Sequence, residues 1–302
     1  MPSLRQYRDR IASVKSTRKI TSAMKMVAAS KLKRAQEYAQ ASQPYAQAMA
    51  EMLSRVAANV TGSTGPKLLV GTGQEQKHLL IVMTSDRGLA GGFNSNLIRF
   101  ARNEAKRLAA EGKEVKIVTV GRKARDSMKR DLSENILESI TGLGGKKRLG
   151  FGEARVISDI IMREFNAENF DVCSLIYNQF VNVMVQKPTA QQLIPFSIPA
   201  PGVANQNAAV PEAAKGPVSP YSFEPSEEEI LEQLLPKNIS IQIFRALLDS
   251  SAGEHAARMT AMDAATRNAG DMIKRLSLEY NRARQAAITK ELIEIISGAE
   301  AV

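Results

Sequence analysis

The chain has 302 residues, 44% of them hydrophobic and 24% charged, which suits one or two packed domains and excludes a disordered or collagen-like polymer. A formal net charge of +10 means that part of its surface suits acidic partners, and the sign alone does not choose among nucleic acid, anionic lipid and acidic protein. No apolar run reaches the roughly 18 residues that span a bilayer and nothing at the start resembles a signal-peptide core, so no direct membrane insertion is expected.

Residues 3 to 43 contain neither Gly nor Pro, and Leu4, Tyr7, Ile11 and Val14 hold the three-four spacing that keeps one side of a helix apolar. The pattern predicts a long helix that weakens or kinks near Pro44, resumes, and stops before Thr61-Gly-Ser-Thr-Gly-Pro. Roughly 55 residues at 1.5 Å each make it about 80 Å long, more than an ordinary globular domain needs. Between residues 10 and 36 lie Arg10, Lys15, Arg18, Lys19, Lys25, Lys31, Lys33 and Arg34 with no acidic residue. Organelle presequences share that bias, but the helical pattern continues unbroken through Tyr38 and Ala46, so the stretch reads as mature structure from residue 2. A charged helix face is ordinarily a solvated surface and mixes its signs; 27 residues of one sign point to an acidic counterpart.

The middle of the chain predicts a small Rossmann-like α/β domain with an open, mostly parallel sheet. The apolar run from His78 ends in turn chemistry, an amphipathic stretch follows from Asn94 to Glu111, and a second run begins at Val115. A further helix from about Phe151 to Phe165 and the runs Asp171 to Tyr177 and Asn178 to Val185 extend the sheet. Residues 199 to 226 are rich in Pro, Ala, Asn and Ser and read as an exposed loop before a final helix that starts near Leu231 and is open to a kink at Pro236. In that last helix Met259, Met262, Thr266, Ala269, Ile273, Leu276, Tyr280, Ala283 and Ala287 keep the three-four alternation over four heptads. The simplest architecture pairs the first and last helices antiparallel as a coiled coil, with domains at 1–60 (first helix), 75–198 (α/β), 199–228 (loop) and 229–302 (last helix).

Chemistry-bearing motifs are few. Thr84-Ser-Asp-Arg-Gly-Leu-Ala-Gly-Gly-Phe-Asn follows a strand and precedes a helix, where phosphate could sit, but Gly88, Gly91 and Gly92 lack the dinucleotide spacing and no Lys-Ser/Thr pair follows. The motif reads as a tight structural turn requiring positive φ. The cluster Thr141-Gly-Leu-Gly-Gly-Lys-Lys-Arg also falls short of a phosphate loop and reads as a flexible basic loop. His78 and His255 are too isolated for a metal site, and the one cysteine, Cys173, reads as a small buried hydrophobe in a reduced compartment. No catalytic constellation appears, so an autonomous enzyme is not expected, nor any bound metal or cofactor.

Four blocks of residues then carry a resemblance: Ile20-Thr-Ser-Ala-Met-Lys-Met-Val-Ala-Ala-Ser-Lys, Ser85-Asp-Arg-Gly-Leu-Ala-Gly-Gly-Phe-Asn, Ala264-Ala-Thr-Arg-Asn-Ala, and the stretch from Tyr280 to Ile295. In that order they resemble the γ subunits of F-type ATP synthases, of the bacterial type. The resemblance implies a rotor shaft turning inside a ring of α and β subunits, with the α/β domain standing on the membrane c ring beside the ε subunit, at the cytoplasmic face of the bacterial inner membrane. It implies that MgATP, ADP and phosphate bind the ring and not this chain, and that no nucleic acid is a partner. It places Met24, with Lys25 beside it, where an acidic loop of β passes, Arg258 as a neighbouring contact, and Arg284, Gln285 and Thr289 against a second β loop. Ile288, Leu292, Ile293, Ile295, Ile296 and Val302 would form an apolar tip turning in a hydrophobic sleeve. Residues 200 to 236 depart from the family pattern in length and composition, and the lack of a cysteine pair excludes a thiol switch of the plastid type. The rival readings are a basic coiled coil that binds nucleic acid or acts as a scaffold, and a nucleotide-dependent enzyme; the first lacks stacking aromatics and the second a phosphate loop.

Overall fold

The computed structural model describes residues 3–59, 66–143, 149–196 and 227–300. In chain order the elements are α1 (Leu4–Asn59), α2 (Lys67–Val70), β1 (Lys77–Met83), α3 (Phe93–Ala110), β2 (Glu114–Val120) and α4 (Arg122–Met128). A short 3-10 turn (Ser133–Asn135) leads to β3 (Ile136–Ile140), α5 (Phe151–Asn166), β4 (Val172–Phe180), β5 (Gln186–Ile194) and α6 (Glu227–Glu300). The chain divides into two compact units, Met1–Ser30 with Arg258–Val302, and Lys31–Ala257. The long helices extend through both prolines: Pro44 lies inside α1 and Pro236 inside α6, which starts at Glu227, ahead of Leu231. The predicted loop at 199–226 and the Lys146 region of the second glycine cluster lie outside the described residues.

In the larger unit the five strands run in the order β3-β2-β1-β4-β5, parallel except for the antiparallel β4–β5 pair. The strand period of two sends Leu79, Ile81 and Met83 of β1 to one side and Leu80 and Val82 to the other, and all five are buried. The first side packs on Ala154, Ile157 and Ile161 of α5, on Met49 and Leu53 of α1 and on Leu231, Leu235 and Ile243 of α6. The second packs on Leu97, Ala101 and Leu108 of α3 and Ala124 and Met128 of α4. Burial on both sides is why β1 reads as a nearly continuous apolar run, and β2 and β4 as largely apolar ones.

Asp171 fastens the start of β1. It accepts hydrogen bonds from the Gln76 and Lys77 N–H groups and from the Thr72 hydroxyl at 3.1, 3.0 and 2.8 Å. Burial raises its carboxyl, but these bonds outweigh burial and hold it below the ordinary carboxylate value. At the opposite strand ends Gly121 has φ of 96°, and a Cβ there would lie 2.2 Å from the Thr84 carbonyl oxygen. Only glycine fits that approach. The expected strand over Asn178 to Val185 is corrected: β4 ends at Phe180, and Asn182 Oδ1 accepts from the Met184 and Val185 N–H groups, both at 2.9 Å, to make the turn into β5.

Candidate functional site

The smaller unit is an antiparallel helix pair whose register is fixed by three cross-helix contacts. The Arg8 Nε donates to the Tyr280 hydroxyl at 3.0 Å, the Thr266 hydroxyl meets that of Thr21 at 2.8 Å, and Lys25 Nζ lies 2.6 Å from Asp263. None of the nine predicted seam residues on α6 is exposed, and Met262, Ala269 and Leu276 are buried, as are Thr21 and Ala28 of α1. Thr266 is the polar interruption in that seam, and its pairing with Thr21 satisfies two hydroxyls that would otherwise face apolar neighbours.

The predicted contact residues fall into three settings. Met24 and Arg258 are half-buried beside the seam, whereas Arg284, Gln285 and Thr289 are exposed. Lys25 is engaged within the unit: Asp263 takes Lys25 and also Arg267, the latter at 3.0 Å, and the Lys25 hydrogen bond foremost holds the Asp263 carboxyl below its ordinary value. Ile288, Leu292, Ile293, Ile295 and Ile296 are all at least half exposed, from 50% to 70%. The register explains this. With residue 8 opposite residue 280, α1 begins at Leu4 at about the level of Arg284, and α6 continues beyond it for roughly 24 Å with no partner helix beside it among the described residues. Val302 lies outside the described residues.

Sequence reasoning missed Arg8, Asp263 and two apolar side chains flanking Met24, Ile20 and Val27, each 57% exposed. The recurrence of Ile20, Met24 and Val27 at four- and three-residue intervals on a helix already expected to be basic was the available signal.

The glycine-rich turn belongs to the larger unit and uses up its own polar groups. Ser85 N–H donates to Asn94 Oδ1 at 3.0 Å, Asn94 Nδ2 donates to Ser85 Oγ at 2.8 Å, and the Ser85 hydroxyl donates to the Arg87 carbonyl at 2.6 Å. Asp86 accepts from the N–H groups of Arg122 and Gly142 at 2.9 and 2.8 Å. The requirement for positive φ is narrower than expected: it falls on Gly91, at 56°, and on Leu89, at 62°, whereas Gly88 does not need it and Gly92, at −81°, caps α3. Leu89 tolerates the left-handed conformation with its side chain 63% exposed. The turn delivers Ala90 and Phe93 onto Ala257 of α6, and a Cβ on Gly253 would meet the Phe93 ring at 3.1 Å. It is a clasp between sheet and helix.

Among the described residues no group of three or more His, Cys, Asp or Glu could hold a metal ion, and no helix is long and apolar enough to cross a membrane. His78 is buried and contacts the Glu75 carbonyl at 3.3 Å; burial foremost lowers its pKa. Cys173 is fully buried in β4, and burial pushes its thiol up.

A sequence model of the family described as ATP synthase matches residues 3–302. The ATP synthase gamma chain of Granulibacter bethesdensis is 59% identical over 303 residues, covering all of both chains, and that of Rhodospirillum rubrum is 53% identical over the same span. Among solved structures, a chain from the central stalk and c-ring of the Tetrahymena thermophila mitochondrial ATP synthase aligns with a TM-score of 0.58 at 27% identity, over 82% of this chain and 99% of that one. A chain of the Euglena gracilis mitochondrial ATP synthase, at 20% identity, aligns with a TM-score of 0.64 over 99% of this chain and 94% of its own, which shows the shared fold. Matched along its length by a family model and by full-length bacterial relatives, the chain belongs to the ATP synthase gamma chain family.

Proposed function

We propose that this chain is the central shaft of a bacterial rotary ATP synthase, turning inside a hexamer of α and β subunits and coupling proton flow through a membrane c ring to ATP synthesis and hydrolysis on β. The observation that carries the reading is the helix pair whose longer member runs on alone and bares five large apolar side chains. Apolar contacts have no directional bonds to break, so such a tip suits a surface that slides. Met24 and Arg258 then lie beside the acidic loop of β, and Arg284, Gln285 and Thr289 meet a second loop. In this reading the ε subunit and c ring bind the larger unit, nucleotides bind the ring, and the chain works as a peripheral subunit at the cytoplasmic face of the inner membrane.

The test is to mix the purified chain with α and β subunits and MgATP and to measure complex mass and ATPase activity. One copy per ring with raised turnover supports the shaft; absence of association, with binding to DNA instead, overturns it. In the assembled enzyme Met24→Lys adds a charge beside the seam, and ATP synthesis driven by a proton gradient falls more than the melting temperature of the isolated chain does.

A further inference from the structure

The smaller unit holds a groove of about 270 Å³ lined by Arg8, Ile11, Ala12, Lys15 and Tyr280. Its chemistry is built from both helices. Ile11 and Ala12 give it apolar walls, Lys15 supplies a second cation, and the Arg8 guanidinium lies 5.6 Å from the centre of the Tyr280 ring while its Nε donates to the Tyr280 hydroxyl. Those two contacts hold Arg8 by Nε and by one face, which leaves its terminal nitrogens as a planar fork. Among the described residues no carboxylate forms an ion pair with Arg8 or Lys15, although Lys25, Arg102, Arg107 and Arg163 all have one.

We propose that the Arg8–Lys15–Tyr280 groove is a docking site for an acidic side chain, Asp or Glu, projecting from the inner wall of the subunit ring that surrounds the shaft. The proposal rests on the rotor reading above and adds to it a contact on α1 one turn of helix below Arg284 of α6. Three things identify the occupant. Arg8 and Lys15 belong to a basic stretch of α1 that, apart from Asp9, carries no acid of its own up to residue 36. A planar fork selects a carboxylate over a single-point acceptor. The apolar walls accept the methylene stem behind that carboxylate. Tyr280 is a positioning residue: it orients Arg8 before the partner arrives, so little of the guanidinium's freedom remains to be lost on contact.

The experiment assembles the full-length chain with purified α and β subunits and follows association and MgATPase activity across ionic strength for wild type, Arg8→Gln, Arg8→Lys and Tyr280→Phe. Arg8→Gln is expected to weaken association roughly tenfold at low salt, the difference closing toward about 0.5 M salt. Arg8→Lys, which keeps charge without the fork, and Tyr280→Phe, which keeps the ring without the hydroxyl, are expected to fall between it and wild type. The melting temperature of the isolated chain reports any merely structural role of the same contacts. Arg8→Gln that associates like wild type at every salt concentration overturns the proposal, as does a deficit that persists at high salt together with a lowered melting temperature. Wild type that fails to associate at all overturns the rotor reading itself, which separates the two failures.

Discussion

Asp249 lies on α6, and burial pushes its carboxyl up to about 6 from an ordinary 3.8, with Arg245 pulling in the other direction. Its charge also raises the buried Tyr177 phenol of β4, to about 12 after the larger effect of burial. Tyr177 in turn donates to Gln191, whose amide donates to Gln242 of α6 at 2.8 Å, so this polar patch ties the helix to the edge of the sheet. An acid whose value is raised on folding binds more protons folded than unfolded between the two values, so stability falls as pH rises from about 4 to about 6 and stays down above that. At about 1.4 kcal/mol per pH unit the gap corresponds to a cost of at most about 3 kcal/mol at neutral pH. Asp249→Asn removes the charge at nearly constant volume. Urea unfolding of the full-length chain followed by circular dichroism should show the variant gaining up to about 3 kcal/mol on wild type near pH 7.5 and almost nothing near pH 4. A gap that does not change with pH, or one that favours wild type at pH 7.5, would refute the assignment of a buried, strained carboxylate.

Gly121→Ala places a Cβ 2.2 Å from the Thr84 carbonyl oxygen at φ of 96°, so the strand ends must separate; a loss of roughly 2–4 kcal/mol is expected in urea unfolding, and less than about 1 would contradict the close approach. Serine at Ile288, Leu292 and Ile295 removes apolar surface that is already half or more exposed. Each change should alter the unfolding free energy of the isolated chain by no more than about 0.5 kcal/mol, whereas the three together should lower the ATPase activity of the assembled complex.

Much of the fold was legible because burial on both sheet faces leaves a strong mark: His78 to Met83, Val115 to Val120 and Asp171 to Tyr177 are apolar runs that no surface strand would show. Strands β3 and β5 lie at the sheet edges and are only partly buried along most of their length, so Ile136–Ile140 and Gln186–Ile194 carry no such signal. The seam on α6 was readable from spacing because every third or fourth side chain meets α1. Its polar partners were not: Lys25 and Asp263 are 238 residues apart, and Arg8 and Tyr280 are 272 apart, and no local pattern reports a pairing over that distance. Tyr280 was legible as a seam residue but not as a support for Arg8, because its ring serves the first role and its hydroxyl the second.

The complete burial of Cys173 makes the folded chain chemically silent toward thiol reagents. Its sulfur has no exposed surface, and burial disfavours the thiolate, the form that reacts. A cysteine placed on an exposed position such as Thr289 would therefore be modified alone under native conditions, giving a single dye or spin-label address on the shaft without removing the natural thiol. Slow appearance of a second labelled site would report the opening of the sheet around β4, so one unmodified residue serves as an internal clock for unfolding of the larger unit.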